Sequence, residues 1–293
     1  MLAAMSVDLA LTRDHILDHA HSLPAAPRVM ASLCDLLQDI NTDLDQIAYV
    51  IRADPALGAR VIRISNSVVY GGDWQVASID EAVNRVGFEE VLRLVGTASV
   101  AGFVDRSLMT YHLEAEHVRA SLLLHALASE SLARRAGIDP RTAYTAGLLR
   151  ALGMMVIDRA ARGRLAPART YDNREHATYL DWEVARFGVG APDVTRMILD
   201  EWRFPDPIVN AIALHLLHDE TAEADPFAAL LNVAGAIVNA ASLALPGETR
   251  HWELTPRKLQ AARLTESQWR AALDEALTRF GRQRAGLVLS LPR

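Results

Sequence analysis

Apolar residues recur at helical spacing through nearly the whole chain, and nowhere do they alternate long enough to build a sheet. Leu44, Ile47, Ala48 and Ile51 form an i, i+3, i+4, i+7 stripe behind Thr42, a suitable N-cap. Leu57, Val61, Ile62 and Ile64 continue in a short helix that opens at Asp54-Pro55, with proline at a tolerated first position. Ser78-Ile79-Asp80-Glu81 has the form of a capping box, and Gly87 is a stop. Helical patterns follow over 89–103, 114–136, 140–160, 174–187, 192–202, 206–218 and 227–244, and Thr265-Glu266-Ser267-Gln268 opens a last helix that reaches Phe280. Alanine and leucine dominate and aromatics make up only 6% of the chain, a bias toward helix formers. The expected fold class is all-α, with many short-to-medium helices.

With 293 residues, 51% of them hydrophobic and 23% charged, the chain has ample material for a core, which excludes disordered and fibrous classes. A net charge of −6 argues against a nucleic-acid binder, which needs a basic face. The one cysteine, Cys34, cannot form an internal disulfide and lies in an apolar helical pattern, so a buried thiol and a cytoplasmic location are expected. No leader is recognisable at the N-terminus. The stretch from Pro226 to Gly247 carries no charge, but Asn232 and Asn239, seven residues apart, mark a polar stripe, and no basic cluster flanks it. It reads as a buried or half-buried helix, with no membrane insertion.

No phosphate-binding glycine loop, cysteine zinc pattern, H-E-x-x-H or nucleophile elbow is present. His15 and His19 share a helical face and could hold a metal with His21, yet no carboxylate-rich segment is paired with them, so an exposed terminal helix is the reading taken. His215 and His218, before Asp219 and Glu220, form a second pair at a helix end, where the macrodipole alone favours histidine. Arg159, Arg162, Arg164, Arg169 and Arg174 gather around one loop and are the candidate surface for an acidic partner or a small anionic ligand. Reversing the charge of Arg162 and Arg164 is expected to weaken partner capture while leaving the melting temperature nearly unchanged. In Ser65-Asn66-Ser67-Val68-Val69-Tyr70-Gly71-Gly72, Asn66 and Ser67 can satisfy helix-end groups and the glycines can make a turn.

Those last residues carry a resemblance. Leu23-Pro24-Ala25-Ala26-Pro27, Asp54-Pro55-Ala56-Leu57, and the run through Asn66, Ser67, Tyr70 and Gly71 resemble the motifs of the HDOD family. So do Ser78-Ile79-Asp80-Glu81-Ala82-Val83 with Gly87, then Ala146-Gly147-Leu148-Leu149 and Glu201-Trp202-Arg203-Phe204-Pro205. The likeness runs from about residue 22 to about 218. It implies an N-terminal extension over 1–21 and a family domain over 22–218, with a helical bundle to about 110 and an HD-like part beyond. A helical segment, 219–293, then packs on that part, behind an acidic linker of Asp219, Glu220, Glu223 and Asp225.

HDOD domains resemble HD phosphohydrolases that have lost catalysis and serve in bacterial signalling. The HD metal ligands are a histidine, a His-Asp doublet and a distant aspartate. By the resemblance these positions fall here on Ser121, Arg150-Ala151 and Gly235, with His117 and His125 a turn to either side of the first and Met154 in place of a frequent lysine. His215 and Asp158 are the donors expected to survive nearby. The resemblance therefore implies no metal, no cofactor and no catalytic residue. It implies a regulatory protein that acts on signalling proteins and can place a ligand in a vestigial cleft. With no receiver or kinase segment recognisable, the signal is expected to come from another molecule. The competing expectation is a metal-dependent phosphohydrolase acting on a nucleotide or cyclic dinucleotide.

Overall fold

The computed structural model describes residues 9–23, 32–33, 36, 43–53, 55–66, 76–87, 90–91, 93, 95, 104–166, 169–217 and 225–288. Cys34, Asp54, Ser67, Tyr70, Gly71, His218 and the acidic residues Asp219, Glu220 and Glu223 lie outside them. Among the described residues there is no β-strand, only an isolated bridge between Leu108 and Leu113, and the all-α expectation holds.

Helix α1 (Arg13–His21) opens on Thr12, whose hydroxyl accepts from the His15 amide, and buries Ile16 and Ala20. The backbone before it is tied to the distant chain by Leu9 N–H to the Arg186 carbonyl at 3.0 Å and Leu11 N–H to that of Phe187 at 3.1 Å. The extension is thereby part of the later half of the molecule. Three short helices, α2 (Leu44–Arg52), α3 (Pro55–Ser65) and α4 (Ile79–Val86), pack on one another. The N-cap of α2 is Asp43 rather than the expected Thr42: its carboxylate and the Gln46 side chain exchange hydrogen bonds with each other's amides, the stronger cap. At α4 the Ser78 hydroxyl takes the Glu81 amide, while the Glu81 side chain reaches back one residue further, to the Ala77 amide.

Helix α5 (Ala115–Ala136) is the axis of the rest. Every residue from Ser121 to Ala133 is buried, which a surface helix with one apolar stripe never shows. Around it lie α6 (Pro140–Leu149), α11 (Pro226–Ala240) and α13 (Glu266–Val288). Helices α7 (Leu152–Ala161), α8 (Tyr179–Phe187), α9 (Ala191–Glu201) and α10 (Asp206–Leu214) complete the layer, and α12 (Pro256–Ala261) leads into α13.

The expected helix over 140–160 is two helices, broken at Arg150-Ala151. Ala151 leaves helical geometry at φ −102°, ψ 15°. The break brings Gly153 against α9, where its amide donates to Thr195 Oγ1 at 2.8 Å and a Cβ would sit 2.1 Å from the Ala191 carbonyl oxygen. Apolar residues on both sides of the break conceal it in the periodicity. The 174–187 pattern is helical only from Tyr179, because Thr178 and Asp181 form a capping box there. The 206–218 pattern stops at Leu214, with His215 as its C-cap. The uncharged stretch is a 15-residue helix, α11, capped by Asp225, followed after Leu245 by a 3₁₀ segment, Pro246–Trp252. No described helix is long and apolar enough to cross a membrane. Asn232 and Asn239 are not one exposed stripe: Asn232 is buried and Asn239 is at the open end of the helix.

Candidate functional site

Of the four positions that the resemblance matches to HD metal ligands, Arg150 and Gly235 meet on one side chain, the indole of Trp252. Helix α11 presents Gly235 to the ring so closely that a Cβ would lie 2.3 Å from Trp252 Cε3. No ligating side chain fits at 235. Arg150, at the α6–α7 break, places its guanidinium carbon 5.3 Å from the indole centroid, a cation–π distance. The guanidinium is 1% exposed, and its Nη1 donates to Glu248 Oε1 at 2.7 Å. Its Nε and Nη2 make no hydrogen bond. Ala151 is buried beside it, and Ser121, one turn before His125 on α5, has a buried hydroxyl without a partner.

Two histidines flank the indole. His125 stands edge-on to it at 5.7 Å and shares a 2.9 Å hydrogen bond with the Leu231 carbonyl. His215 lies 5.8 Å away and bonds the Ile212 carbonyl through Nδ1 at 2.6 Å. Burial, then the Arg150 charge, holds His125 well below the ordinary imidazole range and His215 down at about 3. Both rings are neutral at physiological pH. Asn232 fastens the surroundings, its Nδ2 donating to the His215 carbonyl at 2.9 Å and the His251 carbonyl at 3.1 Å.

The second carboxylate here is Glu183 on α8. It accepts from the Tyr111 hydroxyl at 2.7 Å and from the Ala191 amide at 2.6 Å. Burial pushes its carboxyl up to about 8; the two hydrogen bonds pull the other way, and the Glu248 charge adds to the rise. The space left beside Arg150, Glu183, His215 and Glu248 is about 20 Å³, room for one water.

The residues present do not fit a divalent cation. A hard or borderline cation takes several oxygen or imidazole donors at once. Among the described residues no three histidine, cysteine, aspartate or glutamate side chains converge to hold one. Of the two expected survivors, His215 does line this centre. Asp158 is committed elsewhere, accepting from the Thr110 amide and hydroxyl at 2.9 Å each and from Arg162 Nε at 2.9 Å.

The five arginines do not act as one patch. Arg159 pairs with Asp105 at 3.0 Å, and Arg162 holds Asp158 and the Ser107 carbonyl. Both knit the 104–113 segment to α7, so reversing Arg162 bears on the packing here as well as on any partner surface. Arg164 and Arg169 are exposed. Arg174 forks onto Asp172 at 2.6 Å, at the rim of an open groove of about 570 Å³ that His112, Tyr171, Tyr179 and Pro246 also line. His15 and His21 are exposed, as the terminal-helix reading has it, and His19 is half-buried. Asn66, expected to serve a helix end, spends its side chain on Val76, donating to its carbonyl and accepting from its amide at 2.7 Å each.

Sequence reasoning missed Trp252, Glu248 and Glu183. Glu248 is 98 residues from its partner Arg150, and no local spacing signals such a pair. The one available signal was chemical: an arginine inside the apolar run Gly147-Leu148-Leu149-Arg150-Ala151-Leu152 demands a buried counter-ion.

Three comparisons of structure place this arrangement in a known fold. An HDOD domain protein of unknown function from Geobacter sulfurreducens is 22% identical, covering 90% of this chain and 98% of its own, with a TM-score of 0.59. A Marinobacter aquaeolei VT8 protein with the provisional name of signal transduction protein is 19% identical over 98% of this chain and 68% of its own, with a TM-score of 0.64. A Shewanella amazonensis SB2B protein, provisionally called a phosphohydrolase, is 20% identical over 89% of this chain and 98% of its own, at 0.55. In sequence, an uncharacterised Treponema pallidum (strain Nichols) protein is 24% identical over 249 residues, 83% of this chain, which spans 46% of that relative's length. Residues 23–217 match the HDOD domain, two thirds of the sequence, and the chain belongs to the HDOD family.

Proposed function

We propose that this chain is a non-catalytic signalling protein that works by binding other proteins. The observation that supports the reading is the filled centre: Arg150, Glu248 and the Trp252 indole pack together, at positions that the family resemblance matches to the metal donors of an HD hydrolase. Hydrolysis of that kind needs a cation to polarise the phosphoryl group and to bring a bound water's pKa toward neutrality. Here a fixed guanidinium repels such a cation. The inner cavity admits one water, so an anionic ligand would have to use the outer groove beside Arg174. The signal-transduction name of the Marinobacter structure agrees with this reading. On the same reading the protein works in the cytoplasm, which a single cysteine with no internal disulfide partner supports.

The test is turnover of nucleotides and cyclic dinucleotides in Mg²⁺, Mn²⁺ and Fe²⁺, beside capture of protein partners by the immobilised full chain. No turnover, with specific capture, is expected. Turnover that requires an added metal and disappears on changing His125 or His215 would establish the phosphohydrolase instead.

A further inference from the structure

We infer that the buried Arg150 guanidinium latches the segment Pro246–Trp252 shut over the centre through Glu248 and Trp252. The inference rests on the non-catalytic reading above and gives the closed centre its mechanism. A guanidinium that is 1% exposed, with two of its three nitrogens unbonded, is costly to bury. Everything that offsets the cost comes from one short segment. Glu248 supplies the counter-charge at 2.7 Å, and Trp252, four residues on, supplies the aromatic face at 5.3 Å. Four residues apart in this 3₁₀ segment, the two side chains reach Arg150 from different directions, Glu248 from the Nη1 side and Trp252 with its ring face. Arg150 faces them because the chain breaks between α6 and α7.

The far side of the segment is fixed as well. Gly235 has no side chain to resist the indole. Lys258, itself buried, donates to the His251 carbonyl and the Glu253 carbonyl at 3.0 Å each. The segment is therefore clamped at its C-terminal end by Lys258 and at its middle by Arg150. Only the second clamp depends on the buried cation. Removing the Glu248 charge leaves the Arg150 cation uncompensated, and the segment must open to let water reach it.

Hydrogen exchange on the full chain tests the latch. Glu248→Gln is nearly isosteric and should raise exchange of the 246–252 amides at least tenfold while leaving the α5 amides unchanged. Mn²⁺ or a chelator should leave wild-type exchange in that segment as it is. Arg150→Lys keeps a charge without the fork and should fall between wild type and Glu248→Gln. Should Arg150→Met be too unstable to study, the double variant Arg150→Met with Glu248→Leu removes both charges and should melt closer to wild type than Glu248→Gln does. Unchanged exchange in Glu248→Gln, or protection of the wild-type segment by Mn²⁺, would overturn the latch. Either result would leave the non-catalytic reading to its own turnover assay, which can fail independently.

Discussion

The Tyr111 hydroxyl donates to Glu183 at 2.7 Å across 72 residues of sequence, inside a cluster where Tyr111 also stands edge-on to Tyr179 and Trp182. This pair ties the 3₁₀ turn at 109–111 to α8. Glu183 has few charges to answer it: Glu248 and Asp193 repel it, and the one nearby cation of the centre, Arg150, is taken by Glu248.

A carboxyl raised from 4.5 to about 8 binds its proton more tightly folded than unfolded. Between those two values the folded chain carries the extra proton, so stability falls as pH rises through the window and is flat again above it. The slope from one such group is at most about 1.4 kcal/mol per pH unit. Urea melts of wild type from pH 5 to pH 8 should show this decline, and Glu183→Gln should flatten it. A Glu183→Gln profile parallel to wild type would mean that the carboxyl titrates in its ordinary range.

Glu130 on α5 is also a buried acid, and its situation is the reverse. It accepts from Arg93 at 2.6 Å, Arg134 at 2.9 Å and Arg279 at 2.7 Å, joining residue 93, α5 and α13. Burial pushes the carboxyl up, but Arg93, Arg279 and Arg134 together outweigh it and hold it below the usual range. A lowered carboxyl contributes stability above its unfolded pKa and loses it as pH falls through that value toward the folded one. Breaking a fully buried pair costs about 3–5 kcal/mol. The arginines here reach some water, so Glu130→Gln should cost about 2–3 kcal/mol at neutral pH. It should also make the acid side of the stability profile shallower. A loss under about 0.5 kcal/mol in urea melts would show the network to be ordinary surface pairing.

The helices, and some of their ends, were legible because they are local. Capping at Ser78 and at Thr265 and the glycine stop at Gly137 need only a few neighbouring residues, and the structure has them. The break at Arg150-Ala151 was not legible, since the contact that goes with it, Gly153 against α9, is made by residues at least 38 positions away. At the centre, an arginine set in an apolar run could be read at Arg150, but not what packs around it. Trp252 touches Arg150, His125 and His215 and rests on Gly235 through tertiary packing alone. Periodicity reports which face of a helix is apolar and is silent about which distant ring will cover it.

Arg162 and Arg164 looked interchangeable in the sequence, two residues apart in one basic loop, and the structure separates them. Arg162 donates to Asp158, whose carboxylate is fully buried and also holds the Thr110 amide and hydroxyl, so its charge compensates a carboxylate that water does not reach. Arg164 is exposed, and its backbone amide bonds the Ala161 carbonyl. Reversing Arg162 puts a second negative charge against a buried one, a change worth about 3 kcal/mol or more. Reversing Arg164 alters only solvated charge and should stay within about 0.5 kcal/mol. Arg162→Glu should therefore melt several degrees below wild type, while Arg164→Glu melts with it, and only Arg164→Glu reports cleanly on partner capture. If Arg164→Glu captures partners as wild type does, the loop over 159–174 is scaffolding, and the interacting face lies elsewhere. Equal melting temperatures for the two variants would show that Arg162 does not carry the Asp158 charge.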